Sequence, residues 1–92
     1  LWERRIAVVA TLGLIRAGHL DTTFELCERL LGDPHDLIHK ACGWMLREAG
    51  KRDPGRLLAF LEIHAASMPR VELRYALEKF SPEVRARFLH RI

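Results

Sequence analysis

Residues 34–51 read PHDLIHKACGWMLREAGK, and this stretch decides the fold. On a helix with 3.6 residues per turn, its apolar and basic residues fall on opposite sides. The apolar side comprises Ile38, Ala41, Cys42, Met45 and Ala49. The other side carries, within about 60° of arc, Lys40, Trp44, Arg47 and Lys51. The stretch therefore predicts a long amphipathic helix whose non-core face combines a tryptophan with three cations.

Five further stretches with helical spacing surround this one, and turn or capping residues separate them. A capping side chain stands before a proline, which suits the first helical position, at Asp33-Pro34, Asp53-Pro54 and Ser81-Pro82. The predicted helices cover residues 2–17, 21–31, 34–51, 54–66, 69–80 and 82–92. Since no stretch alternates apolar and polar residues between hairpin turns, the sequence predicts an all-α chain.

A repeat relates the first, third and fifth predicted helices. Arg5, Lys40 and Arg74 align at successive offsets of 35 and 34 residues, each before mostly small or apolar residues. Helix pairs that recur at about this period are typical of α-solenoids. The tetratricopeptide consensus is absent, so we predict an α-α superhelix of HEAT-like repeats with about three helix pairs.

The first helix is apolar nearly all round, which requires neighbours on several sides. We therefore expect residues 1–92 to form a single HEAT-like repeat domain that is the C-terminal portion of a longer chain.

Composition narrows the class of protein. The 92 residues are 49% hydrophobic and 29% charged, which is typical of one globular domain. The longest apolar run, residues 6–10, is too short to cross a bilayer, so no membrane partner is expected. Two cysteines, Cys27 and Cys42, cannot form a disulfide framework and favour reduced thiols in a cytoplasmic protein. The net charge of +3 favours an anionic partner.

Other kinds of site have little support. His35, His39 and Cys42 have a spacing that could place a metal on one helix face. However, Cys42 falls on the core side and no second pair completes four ligands, so we expect no metal. The glycines are isolated and form no phosphate-binding loop, and no cofactor is expected.

The basic line around Trp44 has two interpretations. Arginine and lysine can neutralise phosphates, and an indole face can contact a sugar or a base. Alternatively, Trp44 packs against the next helix pair beneath the stems of its basic neighbours. Trp2 and Arg5 share a face of the first helix, and Arg70 and Arg74 form a basic pair on the fifth. If the repeats stack in parallel, these residues can line one concave surface.

Residues 39–51, HKACGWMLREAGK, resemble a segment of the DNA alkylation repair family, HEAT-like-repeat DNA glycosylases that excise alkylated purines. The family pattern there is a lysine, two small or apolar residues, Gly-Trp, two more residues, Arg-Glu and a further lysine. Trp2-Glu3-Arg4-Arg5 resembles the family's Trp-x-x-Arg helix. Residues 68–70 and 74–79 resemble its closing helix. The resemblance extends, in order, over nearly the whole chain.

The resemblance implies that the full-length protein is a DNA glycosylase. It would hydrolyse the N-glycosidic bond of N3- or N7-alkylated purines in double-stranded DNA, without a cofactor. Arg5 and Arg47 would contact the DNA backbone around the lesion, and Trp44 would pack against the lesion-bearing deoxyribose. These three form the implied catalytic set. Lesser DNA contacts are expected from Lys40, Lys51, Arg70, Arg74 and Trp2.

One part of the family pattern has no counterpart here, the catalytic Asp on a helix before the Trp-x-x-Arg segment. Asp21, Asp33 and Asp53 lie at predicted helix starts, as capping residues do. Asp36 lies in a first turn, where its charge complements the helix dipole. We therefore expect these 92 residues alone to be catalytically incomplete. The alternative is a non-catalytic HEAT-like scaffold that binds DNA or another protein.

Overall fold

The computed structural model describes residues 1–89, and all regular elements in that range are helical. The helices are α1 (Trp2–Arg16), α2 (Asp21–Arg29), α3 (Asp36–Arg52), α4 (Pro54–His64), α5 (Arg70–Leu77) and α6 (Pro82–Leu89), with a 3-10 turn at Ala65–Ser67. The all-α prediction is confirmed. The sixth predicted helix extends to residue 92, and its last three residues lie outside the described range. Within residues 1–89, no helix has the length and apolar character needed to cross a membrane.

The helices form two layers, with α3 at the centre of one. α3 packs between α1 and α5. In the other layer, the rings of Phe24 on α2 and Phe60 on α4 lie 5.5 Å apart, and Arg87 on α6 pairs with Glu62 on α4. The predicted apolar side of α3 is buried between the layers at Ile38, Ala41, Cys42, Met45 and Ala49. This stacking of helix pairs agrees with a helical-repeat superhelix.

Two of the three predicted capping signals start a helix where expected. Asp53 Oδ1 accepts a hydrogen bond from the Arg56 N–H at 3.1 Å, and α4 begins at the adjoining proline. Ser81 Oγ accepts from the Val84 N–H at 3.4 Å at the start of α6. The prediction at Asp33-Pro34 was wrong, because α3 begins at Asp36 without a side-chain cap.

Asp33 makes other contacts instead. Its Oδ1 accepts from the His35 N–H at 2.9 Å, and its Oδ2 lies 2.7 Å from Arg4 Nε. The His35 N–H, aided by the Arg4 guanidinium, outweighs desolvation and lowers the pKa of Asp33. These contacts hold residues 33–35 as a turn against α1, so the helix starts after this turn.

A buried polar pair joins α3 to α5. His39 Nε2 lies 2.5 Å from the Asp33 carbonyl oxygen, and His39 Nδ1 lies 3.3 Å from Oε1 of Glu72. A carbonyl oxygen only accepts, so Nε2 carries the hydrogen. The Glu72 side chain is 0% exposed, and this burial raises its pKa to about 8. At neutral pH the protonated Glu72 therefore donates to Nδ1.

Gly43 allows α3 and α5 to approach closely. A Cβ at this position would lie 2.6 Å from the Cβ of Tyr75 and 2.7 Å from the carbonyl oxygen of Glu72. Both obstacles are at or near the α5 backbone and cannot turn away as the end of a flexible side chain would. A glycine is therefore required here by space, even though it is a poor helix former.

Replacing Gly43 with alanine is expected to lower the free energy of unfolding by about 2 kcal/mol, because overpacking outweighs the gain in helix propensity. Gly13→Ala is the matched control, since a Cβ at Gly13 on α1 meets nothing within 4 Å. That control should raise stability by up to about 1 kcal/mol. Urea denaturation measures both. A Gly43→Ala variant as stable as the parent would show that the helices can separate at little cost.

The raised pKa of Glu72 predicts a pH-dependent stability. The folded protein retains this proton up to about pH 8, whereas the unfolded chain releases it near the ordinary value of 4.5. The proton therefore stabilises the fold fully below pH 4.5, and that stability is lost as the pH rises to 8. Glu72→Gln keeps a donor for His39 without a charge. Its stability relative to the parent should rise by up to about 4 kcal/mol between pH 5 and pH 8.

Denaturant unfolding at several pH values tests this, with Glu83→Gln as a control that removes an exposed carboxylate from α6. A constant difference between Glu72→Gln and the parent across this range would contradict the assignment.

Candidate functional site

A groove opens on the layer formed by α1, α3 and α5. It encloses about 300 Å³ and is lined by Arg5, Leu37, Lys40, Ala41, Trp44, Arg47 and Tyr75. Because α3 lies between its two neighbours, one helix contributes most of the lining. We call this feature the central groove.

The central groove brings together four of the sequence-predicted site residues, namely Arg5, Lys40, Trp44 and Arg47. Trp44 is partly buried and packs against the core, while the rest of its surface lines the groove. It thus has both the packing role and the groove position that the sequence left open. Across the groove, Tyr75 from α5 supplies a second aromatic side chain.

Two carboxylates hold Arg47 in place. Its Nη1 donates to Oε2 of Glu78, which follows α5, and its Nε lies 3.5 Å from Oε2 of Glu48. The Arg47 side chain is only 21% exposed, so its guanidinium is fixed at the groove wall and does not extend into solvent.

The other cations of this surface also have close neighbours. Lys51 Nζ lies 3.0 Å from Oε2 of Glu48, and Lys40 Nζ lies 3.9 Å from Asp36. Burial alone would raise the pKa of Glu48, but the Lys51 hydrogen bond and the two nearby cations outweigh it and lower the pKa. The Arg5 guanidinium lies over the Trp2 ring, 5.9 Å from its centroid.

The remaining sequence-predicted residues lie outside the central groove. Trp2 is 65% exposed on α1, next to Arg5. Lys51 lines a second cavity farther along α3. Arg70 Nη1 donates to the carbonyl oxygen of Leu89 at 2.9 Å, at the end of α6. Arg74 is exposed on α5 and is not among the groove-lining residues.

Tyr75 and Glu78 were not among the site residues predicted from the sequence. Tyr75 follows Arg74 as Ala41 follows Lys40, so an aromatic stands where the central repeat has a small residue. This difference between the repeats is the sequence feature that could have pointed to Tyr75. No sequence feature pointed to Glu78, because its contact with Arg47 depends on how α5 is placed along α3.

The arrangement suits an anionic ligand that carries flat or sugar-like groups. Three cations and two aromatic side chains line the central groove, and no carboxylate is among its lining residues. Within residues 1–89, no three histidine, cysteine or acidic side chains come together as metal ligands would.

Comparison with known proteins supports an interaction with DNA. The family model described as DNA alkylation repair enzyme matches residues 1–80. No curated protein and no solved structure matches this chain. The match extends from α1 to beyond the end of α5 and so includes all residues that line the central groove. The chain therefore belongs to the family of DNA alkylation repair enzymes.

Proposed function

We propose that the central groove holds the lesion-bearing strand of duplex DNA in a glycosylase that excises N3- or N7-alkylated purines. The observation that carries this proposal is that Trp44 and Tyr75 line one groove together with Arg5, Lys40 and Arg47. The cations of this groove suit the phosphates, and its aromatic faces suit the sugar and base.

The chemistry of an alkylated purine matches such a surface. Alkylation at N3 or N7 gives the base a positive charge, so the purine is a good leaving group. When the bond from C1′ to the purine nitrogen breaks, its electron pair stays with the base and neutralises that charge. The sugar left behind resembles an oxocarbenium ion, which an electron-rich indole face stabilises.

Water completes the reaction by adding to C1′ and giving up a proton. In the family pattern, an Asp before the Trp-x-x-Arg segment serves this step. The aspartates near the groove have other contacts, Asp33 with Arg4 and Asp36 with Lys40. We therefore assign to this chain the binding and positioning of the lesion. Trp44 contacts the sugar, and Arg5 and Arg47 bind the flanking phosphates.

We expect Arg47→Ala and Trp44→Ala in the full-length protein to slow the release of alkylpurine from methylated duplex DNA about 100-fold each. Trp44→Ala removes the indole face that stabilises the oxocarbenium-like sugar, and Arg47→Ala removes the cation that positions the flanking phosphate. Trp44→Phe, which keeps an aromatic face, should recover part of the loss. The control is Arg29→Ala, which removes an exposed cation from α2 in the opposite layer.

Chromatography of the released base measures this rate, and circular dichroism checks that each variant is folded. Unchanged release in both alanine variants would contradict the site assignment. If the folded parent releases no base, the scaffold alternative gains support over the glycosylase.

Glu78→Gln is expected to raise the affinity for DNA about two- to fivefold, because Glu78 competes with a phosphate for Arg47. Fluorescence anisotropy with a labelled duplex measures the change. Glu83→Gln, which removes the same charge from exposed α6, separates this local effect from the change in net charge. An equal gain in both variants would show that Glu78 does not compete for Arg47.

A further inference from the structure

A second cavity lies beside the central groove. It encloses about 240 Å³ between α3, α4 and the end of α5. Its apolar floor consists of Leu57, Ala76 and Phe80. Arg47 belongs to the lining of both cavities, so the two are contiguous along α3.

Three cations line this second cavity, and no carboxylate does. Arg47 and Lys51 come from α3, and their acidic neighbours are Glu48 on the same helix and Glu78 after α5. Lys79 comes from the turn after α5, is exposed, and has no ion pair within residues 1–89. The local balance of three cations against two carboxylates leaves one positive charge in excess.

The N-terminus of α4 does not explain how this cavity could bind an anion. Pro54, the first residue of α4, lines the cavity but has no N–H to donate. The Arg56 N–H already donates to the side chain of Asp53. An anion bound here would therefore be held by the cationic side chains of the lining.

We propose that the second cavity binds a further phosphodiester of the same DNA, with Lys79 as its main contact and the apolar floor against the adjoining deoxyribose. This inference rests on the proposed function. A DNA strand carries a phosphate about every 3.4 Å along the helix axis. A strand bound at Arg47 therefore presents further phosphates to the neighbouring surface. The ammonium of Lys79, which has no ion pair among residues 1–89, lies on that surface, and charge complementarity favours a phosphate over a neutral peptide.

The test compares Lys79→Gln with Arg29→Gln in the full-length protein. Each variant removes one exposed cation, and Arg29 lies on α2 in the opposite layer. By fluorescence anisotropy with a labelled duplex, Lys79→Gln should bind about three- to tenfold more weakly. The slope of its log affinity against log salt concentration should be shallower by about one, as expected when one phosphate contact is lost. Arg29→Gln should change neither quantity.

A second measurement locates the contact. Duplexes with a single neutral methylphosphonate are scanned along the strand against the parent and Lys79→Gln. One position should weaken the parent and leave Lys79→Gln unaffected, while positions that depend on Arg47 weaken both. Inorganic phosphate, tested as a competitor, separates a site for any anion from a site that requires the DNA strand.

The outcomes distinguish the two proposals. If Lys79→Gln binds like the parent while Arg47→Ala loses affinity, the second cavity holds no phosphate and the proposed function stands. If Lys79→Gln weakens binding but remains sensitive at every methylphosphonate position, Lys79 acts through its general field and the inference is overturned. If Arg47→Ala also binds like the parent, the proposed function itself fails.

Discussion

At Gly43, helices α3 and α5 come so close that even a methyl group would collide with the α5 backbone. The positions of several functional side chains depend on this contact. It brings Tyr75 to the edge of the central groove opposite the helix that carries Trp44. One turn later, Glu78 reaches Arg47, and Lys79 reaches the second cavity. A wider separation would remove all three from the surface that α3 presents.

A chain of polar contacts between the helices complements this close packing. Arg4 on α1 pairs with Asp33, whose carbonyl accepts from His39 on α3, and His39 in turn contacts Glu72 on α5. This chain of contacts therefore crosses all three helices that form the groove. Hydrogen bonds of this kind are directional, so they fix the register of the helices in a way that apolar packing alone does not. These contacts require that the carboxyl group of Glu72 is buried, and burial keeps it protonated near neutral pH.

The sequence predicted the helices and the face of α3 well, because both depend on local periodicity. The stripe of Lys40, Trp44 and Arg47 lies on the side opposite the buried residues, as the helical wheel indicates. Contacts between helices could not be predicted in this way. The pairing of Arg47 with Glu78 depends on the register of α5 against α3. Asp33 was predicted as a cap because it stands before Pro34. Its contact with Arg4 spans 29 positions of sequence and leaves no local pattern from which it could have been predicted.

The acidic neighbours of the basic surface act as counterions built into the protein. Arg47, Lys51 and Lys40 are accompanied by Glu78, Glu48 and Asp36, respectively. When a phosphate replaces one of these carboxylates beside a cation, one fixed anion takes the place of another. The number of salt ions held near the protein surface therefore changes little. The number of phosphate contacts deduced from the ionic-strength dependence of binding is then smaller than the number that the surface makes. A footprint inferred from salt alone will be shorter than one mapped by protection of the DNA.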